Sequence, residues 1–493
     1  MSAARTSPGA TSPETPCAAP ARATPCPAPA TLPVALDPAV RLSAGGRVLI
    51  GGSPLRVISL THSGARVVSR WRVPSPVGDR SGERDLARRL LEAGVLTPHP
   101  APALSTPELT IVVPVRDRVP QLERCLEAIR RACPDSPIVV VDDGSRRPGP
   151  VRAACDARGA RLIRHHRSRG PAAARNAGLA ACATPFVGFV DSDVVLPDRS
   201  PHRLLGHLCD PSLGAVAPRV RALTPEDGLI GAYEGRHSAL DMGPRSGLAA
   251  PGRPVSYVPS AVLFARRSAI GDGFDESLRT GEDVDLVWRL CQAGWRVRYA
   301  SEVDVWHEHR VSLREFMADR RRYARSGGHL ARRHPGAAAA MWVSPELALP
   351  WVLALAGRPQ AALTCIAGVT VRHRHRLRRV PGSPAGLAGM AVAHGLAATG
   401  LALGHAVRRA WAPPLLALGR SRPQVGALVL AAFAVPVIED AVAARDPRTL
   451  PADAGLRLLE ELIALAGTWE GCIRGRTIRP LLPSWRRPAP APA

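Results

Sequence analysis

Pro185-Phe186-Val187-Gly188-Phe189-Val190-Asp191-Ser192-Asp193 is an apolar run that stops in Asp-x-Asp. Read as a buried strand, it carries two carboxylates out at its end. In extended chain, residues two apart point the same way, so Asp191 and Asp193 converge. Convergent carboxylates suit one hard divalent cation, Mg²⁺ or Mn²⁺, which is commonly shared with a substrate diphosphate. The plainer alternative is two solvated loop aspartates.

Working outward, the same pattern occurs upstream. Ile138-Val139-Val140-Val141-Asp142-Asp143-Gly144-Ser145 is another β-run ending in two acids and a turn residue. In open α/β sheets, ligands sit beyond the carboxyl ends of strands. A carboxylate there can accept from a pyrimidine N–H or a ribose hydroxyl, or it can belong to a plain Asp-Gly turn. Ile111-Val112-Val113-Pro114-Val115 is a further buried strand, and Arg161-Leu162-Ile163 another. Helical patterns over 121–133, 150–157 and 172–183 alternate with these runs, which predicts a doubly wound α/β sheet.

Three more elements carry chemistry. Gly281-Glu282-Asp283-Val284-Asp285-Leu286 places acids at the start of an amphipathic helix. They either cap that helix or supply a general base for an acceptor hydroxyl, and the helix N-terminus should keep the base ionised at neutral pH. Arg169-Gly170-Pro171 opens the helix that bears Arg175, which can meet a phosphate or lock Asp191. Val303-Asp304-Val305-Trp306-His307-Glu308-His309 ends a strand in two histidines, of which His307 is the candidate metal ligand. Arg322, in a basic helix, can hold diphosphate or face solvent.

The net charge is +24 and all 65 basic residues are arginine. A GC-rich genome gives such a bias, and so does attraction to phosphorylated substrates or an anionic membrane surface. The arginines are scattered without interleaved aromatics, so nucleic acid is not an expected partner. The 10 cysteines include no CxxC pair. That argues against zinc and thioredoxin-type chemistry and suits free thiols in a reducing cytoplasm. No apolar h-region opens the chain, so no secretory signal is expected.

Residues 1–32 read as a disordered low-complexity tail. Residues 33–98 read as a small winged-helix-like α+β module: a hairpin across Ser43-Ala44-Gly45-Gly46, a third apolar run, then helices over 61–71 and 81–94. Residues 99–108 read as a Pro-rich linker, 109–335 as the catalytic domain, and 481–493 as a second disordered tail. Residues 336–480 are Ala/Leu-rich and helical. Ala385 to Val407 is of the ~20 residues needed to cross a bilayer, whereas Gln424 to Ile438 is shorter than a span. The basic run Arg372 to Arg379 fits interfacial anchoring at the cytoplasmic face of the cell membrane, with the active site in the cytoplasm. A buried helical subdomain is the alternative.

In order and spacing, Ile111 to Pro114, Val141 to Ser145, Gly170 to Gly178, Asp191-Ser192-Asp193, Gly273 to Glu276 and Gly281 to Leu286 resemble family 2 glycosyltransferases of the GT-A fold. The resemblance implies an inverting, metal-dependent single displacement from a nucleotide-sugar. Pro114, Val115, Arg116, Asp142, Asp143, Arg175, Asp191, Ser192 and Arg322 would bind that donor. Asp191, Asp193 and His307 would hold the cation. Ser260, Ala261, Glu282 and Asp283 would bind the acceptor, with Asp283 as the base. Arg116-Asp117 stands where the family pattern has Tyr-Asn, and Val258-Pro259-Ser260-Ala261 stands for its Gly-rich acceptor loop; both are departures.

The whole chain is similar to one subgroup, the mycofactocin-system glycosyltransferases, and residues 33–98 resemble PqqD-like modules, which can bind a leader peptide as an added strand. This resemblance implies UDP-glucose as donor and a peptide-derived redox-cofactor precursor as acceptor, decorated with β-linked glucose. Transfer to a polyprenyl-phosphate lipid or cell-wall glycan is the alternative enzyme reading. A winged-helix binding protein with an inactive GT-A scaffold is the alternative of another class.

Overall fold

The computed structural model describes residues 26–103, 105–224, 228–443 and 449–485. At its centre is a nine-stranded sheet. Leu109–Val115 lies between Ile138–Asp142 and Phe186–Val190, parallel to both. Arg161–Arg164 continues the parallel half beyond Ile138–Asp142. The registers Val115↔Asp142 and Phe189↔Val112 bring the carboxyl ends of these strands out along one rim.

The other half departs from the expected doubly wound pattern. Val262–Arg266 runs antiparallel to both Phe186–Val190 and Leu213–Ala222. Arg296–His307 then runs parallel to Leu213–Ala222 and takes Val194–Val195 and Gly247–Ala249 as antiparallel edge partners. The result is a GT-A-type mixed sheet.

Alternation of side chains along Leu109–Val115 explains the layers. Ile111 and Val113 face Leu122, Cys125 and Ile129 of helix Val119–Ala132. Val112 faces Ala172 and Ala174 of helix Pro171–Ala180, and Leu286 and Trp288 of helix Glu282–Gln292 lie in the same layer. A Cβ at Gly178 would stand 2.2 Å from Val112, so only glycine lets this helix approach the sheet so closely.

The N-terminal module contains the three-stranded meander Arg41–Ser43, Val48–Gly51, Arg56–Ser59 and a second small sheet in which Pro33–Leu36 pairs with Ser75–Pro76 and Leu96–Pro98. Its helices are His62–Arg70, capped by Thr61, and Ser81–Glu92. The stretch expected to be disordered is packed where it is described. Ala28 and Leu32 are buried in the module core, and Arg84 and Arg88 donate to Ala28 O and Cys26 O. Residues 1–25 lie outside the described residues. The linker lies along the catalytic domain, with Thr106 O accepting from Ser136 Oγ at 2.8 Å.

After helix Leu313–Arg333 come Pro345–Leu355, Pro359–Arg376, a 36-residue helical stretch Pro384–Gly419, Pro423–Ala443 and Leu450–Arg474. The Pro384–Gly419 stretch and the 20-residue Pro423–Val442 are long and apolar enough to cross a membrane. Gln424 to Ile438 therefore sits in a longer helix than its sequence indicated, because Glu439 and Asp440 continue the turn instead of ending it. The expected disordered tail also starts too early: Pro483–Trp485 pairs in parallel with Met341–Val343. Residues 486–493 lie outside the described residues.

Candidate active site

Ile138–Asp142 delivers its two acids to different tasks. Asp143 accepts from Arg169 N, Gly170 N, His165 Nδ1 and Ser168 Oγ at 2.7–2.9 Å, occupying both carboxylate oxygens. Burial opposes its charge, but these donors outweigh it and hold the carboxyl below its ordinary range. Asp143 thereby fixes the turn that starts helix Pro171–Ala180. Asp142 uses one oxygen on Ser145 N at 2.8 Å, while its buried Oδ2 makes no hydrogen bond and lies 3.6 Å from Arg164. Of the pair, Asp142 keeps the acceptor capacity. Pro114 and Val115 stand at the end of the adjacent strand, and Arg116 is exposed, donating to Ser168 Oγ at 3.3 Å.

Arg175 is the centre of the site. It is buried at 4% exposure, donates through Nη2 to Asp191 Oδ1 at 2.7 Å and through Nη1 to Glu282 Oε1 at 3.0 Å, and lies over the Phe274 ring. One guanidinium thus joins the Asp-x-Asp strand end to the acidic helix start. Of the two roles open to Arg175, the lock on Asp191 is the one formed here. Burial would pull its pKa down, but Asp191 and Glu282 raise it above the ordinary value.

Asp193 points elsewhere. Its carboxylate pairs with Arg118 and lies 3.3 Å from His307 Nε2. Burial opposes ionisation, yet His307 and Arg118 hold Asp193 well below the usual carboxylate range. Among the described residues, no three His, Cys, Asp or Glu side chains stand together as a metal cage. Asp193 and His307 form a two-residue O/N donor set, and Asp191 is turned to Arg175. Mg²⁺-type sites take one or two protein carboxylates and complete their shell from substrate phosphate and water, so this pair fits a shared cation and not a protein-only one. Ser192, between the two aspartates, is buried.

Asp283 departs from expectation. Its Oδ1 accepts from Val284 N at 2.8 Å and its Oδ2 from Ser260 N at 3.4 Å. The helix start was expected to keep it acidic. Burial, with Glu282 as a neighbouring charge, instead pushes Asp283 up to about 7, outweighing the amide donors and Arg175. Ala261 closes the loop onto the strand end: its carbonyl accepts from Asp191 N at 2.9 Å.

Asp191, Asp193, Arg175, Glu282, Asp283 and His307 line one cavity of about 990 Å³. Ser260, Ala261 and Arg322 line it too, while Asp142 and Asp143 are not among its lining residues. Arg322 is tied to Asp319 at 2.7 Å. The far wall escaped sequence reading: Tyr257, Trp342, His405 and Arg409. Arg118 escaped it as well, although it follows directly on the irregular Arg116-Asp117 pair, where Asp117 has φ +60°.

Residues 110–270 match the model of glycosyl transferase family 2. The pre-mycofactocin glycosyltransferase of Mycobacterium tuberculosis is 38% identical over 470 residues, 92% of this chain and 97% of that protein. The chain belongs to the pre-mycofactocin glycosyltransferases of family 2. More distant relatives of this glycosyltransferase include the succinoglycan biosynthesis protein ExoU of Rhizobium meliloti, 27% identical over 40% of this chain and 60% of that protein. Among solved structures, a mannosyltransferase from Pyrobaculum calidifontis in complex with GDP-Man and Mn²⁺ is 21% identical, covering 68% of this chain and 88% of its own at a TM-score of 0.38. S. aureus TarS 1–349 with UDP is 18% identical, covering 44% of this chain and 64% of its own at 0.35.

Proposed function

We propose that this glycosyltransferase moves glucose from UDP-glucose to pre-mycofactocin, with inversion to a β-linkage and in one or several units. The observation that carries the reading is the placement of Asp283. It is a carboxylate poised near neutrality, and Arg175 joins its helix to the strand end of the Asp-x-Asp pair. Ionised Asp283 accepts the proton of the acceptor hydroxyl, whose oxygen attacks the anomeric carbon as the nucleoside diphosphate departs from the opposite face. A base with a pKa near the working pH combines a sizeable ionised fraction with useful basicity. Asp193 and His307 would hold a divalent cation, which when bound supplies charge stabilisation to the leaving diphosphate.

The acceptor assignment rests on the extent of the likeness to the Mycobacterium tuberculosis protein, over nearly its whole length. The apolar stretches Pro384–Gly419 and Pro423–Val442, beside the basic run Arg372 to Arg379, support a place on the cytoplasmic face of the membrane with contact to anionic lipid. The N-terminal module is the place for a leader-peptide segment added as a strand.

The test is purified protein with UDP-glucose, Mn²⁺ or Mg²⁺ and pre-mycofactocin, read by mass spectrometry. Products heavier by whole hexosyl units are expected. Product on polyprenyl phosphate alone would overturn the acceptor assignment, and transfer from another sugar nucleotide alone would overturn the donor. Flotation with anionic but not neutral vesicles tests the membrane contact.

A further inference from the structure

One segment of the cavity wall touches the N-terminal module, the helix that bears Asp283, and Trp342. Gly252, Arg253, Ser256 and Tyr257 line the cavity. The segment is closed on itself by Ala250 N donating to Val255 O at 3.2 Å and Arg253 N to Ala250 O at 3.1 Å. Trp288, on the helix that begins with Glu282 and Asp283, donates through Nε1 to Ser256 O at 2.8 Å. The Trp342 ring covers Gly252 so closely that a Cβ there would lie 3.0 Å from it, at φ +77°. Immediately downstream, Ser260 N reaches Asp283.

Arg253 ties this segment to the N-terminal module. Its Nη2 donates to Glu92 O at 3.0 Å and its Nη1 to Ser53 O at 3.4 Å. Glu92 ends helix Ser81–Glu92, where backbone carbonyls lack intrahelical partners and the helix dipole is negative. A guanidinium supplied from another domain answers both needs. The site is built in, because the module itself is anchored on the catalytic sheet nearby. Arg88 makes two bonds of 2.8 Å to Asp210, and the Glu92 carboxylate pairs with Arg296.

We infer that Arg253 is a positioning residue through which the N-terminal module sets the acceptor wall of the cavity, so that the module acts on acceptor affinity and not on donor chemistry. This deepens the proposed function and rests on its reading of Asp283 as the base for the acceptor hydroxyl.

The experiment compares full-length wild type, Arg253→Ala and Arg253→Lys. In transfer assays, Arg253→Ala should raise the acceptor KM about tenfold, the effect of losing mainly the shorter charge-assisted bond to Glu92 O, while kcat and donor KM stay within about twofold. Arg253→Lys, which carries a charge to the same carbonyls, should restore most of the loss. Hydrogen exchange on the same proteins should show faster exchange over 250–257 in Arg253→Ala, with 186–195 unchanged. An unchanged acceptor KM in an enzyme that transfers, or unchanged exchange over 250–257, would overturn the inference. So would an equal loss in donor and acceptor parameters with a lower Tm, which would make Arg253 a docking contact only. If wild type glycosylates nothing while the exchange difference is present, the proposed function fails and the coupling stands.

Discussion

Asp193 and Asp283 line the same cavity, and burial opposes the charge of both, yet they are driven to opposite states. Asp193 lies between Arg118 and His307, which hold it ionised. Asp283 has amide donors at 2.8 and 3.4 Å but no ion pair, and burial, with the Glu282 charge beside it, raises it to about 7. The residue type is identical, and the neighbours divide the labour. In the proposed mechanism the carboxylate assigned to the cation is held ionised by positive neighbours, and the one assigned to the proton is not. Arg175 enforces the division from between, spending its two donor arms on Asp191 and Glu282 and leaving Asp283 with backbone amides but no ion pair.

The sharpest way to break this contrast is to remove the proton acceptor. Asp283→Asn should cut transfer by about 10²- to 10⁴-fold, the range for a lost general base. Affinity for UDP, measured by calorimetry, should stay near wild type. A large loss of UDP affinity would place Asp283 with the donor groups and erase the distinction.

On the other side, Asp193→Ala should weaken Mn²⁺-dependent donor binding by about 10- to 100-fold or more. Asp191→Ala should cost less, because its carboxylate is already committed to Arg175. Calorimetry with and without metal separates the two. Equal losses would mean that Asp191 leaves Arg175 for the cation when donor binds.

The pH dependence of kcat sharpens the contrast further. The proposed mechanism uses ionised Asp283, so the rate should fall as pH drops through about 7. Glu282→Gln removes a neighbouring negative charge, which makes ionisation of Asp283 easier, so the acidic limb should move to lower pH. A limb that stays in place would show that burial alone sets it.

How much of this was legible follows from where the residues lie in the chain. The floor of the site was readable because its acids sit at the ends of short apolar runs, a local pattern that reports both the strand and the direction of its last side chains. The state of Asp283 was not, because helix-end electrostatics visible in the sequence lost to burial that only the packed domain creates. The split between Asp142 and Asp143 was hidden for the same reason: the donors that fill Asp143 come from residues 165–170. The far wall was beyond reach altogether, since Tyr257, Trp342, His405 and Arg409 meet only once the C-terminal helices are docked. Likewise, residues 26–32 look too poor in apolar groups to order, yet Arg84 and Arg88 satisfy their carbonyls from a later helix.

That docking is itself open to a smaller perturbation. Helices Leu313–Arg333 and Leu450–Arg474 approach through glycines: a Cβ at Gly471 would stand 2.4 Å from Arg325 O, and one at Gly467 2.8 Å from Arg321 O. A methyl group at Gly471 meets backbone, which cannot rotate away, so the helices must separate. Gly471→Ala should then cost about 1–3 kcal/mol, as overpacking does. For 493 residues unfolding together that is a fall in Tm of about 1 °C per kcal/mol. Arg320 and Tyr323, on the first helix, line the cavity, so acceptor KM should rise modestly as well. UDP affinity should change less, because of the proposed donor contacts only Arg322 lies on these two helices. A variant that lost donor affinity along with Tm would show that floor and wall are one cooperative unit. Unchanged Tm would mean the two helices do not meet at Gly471.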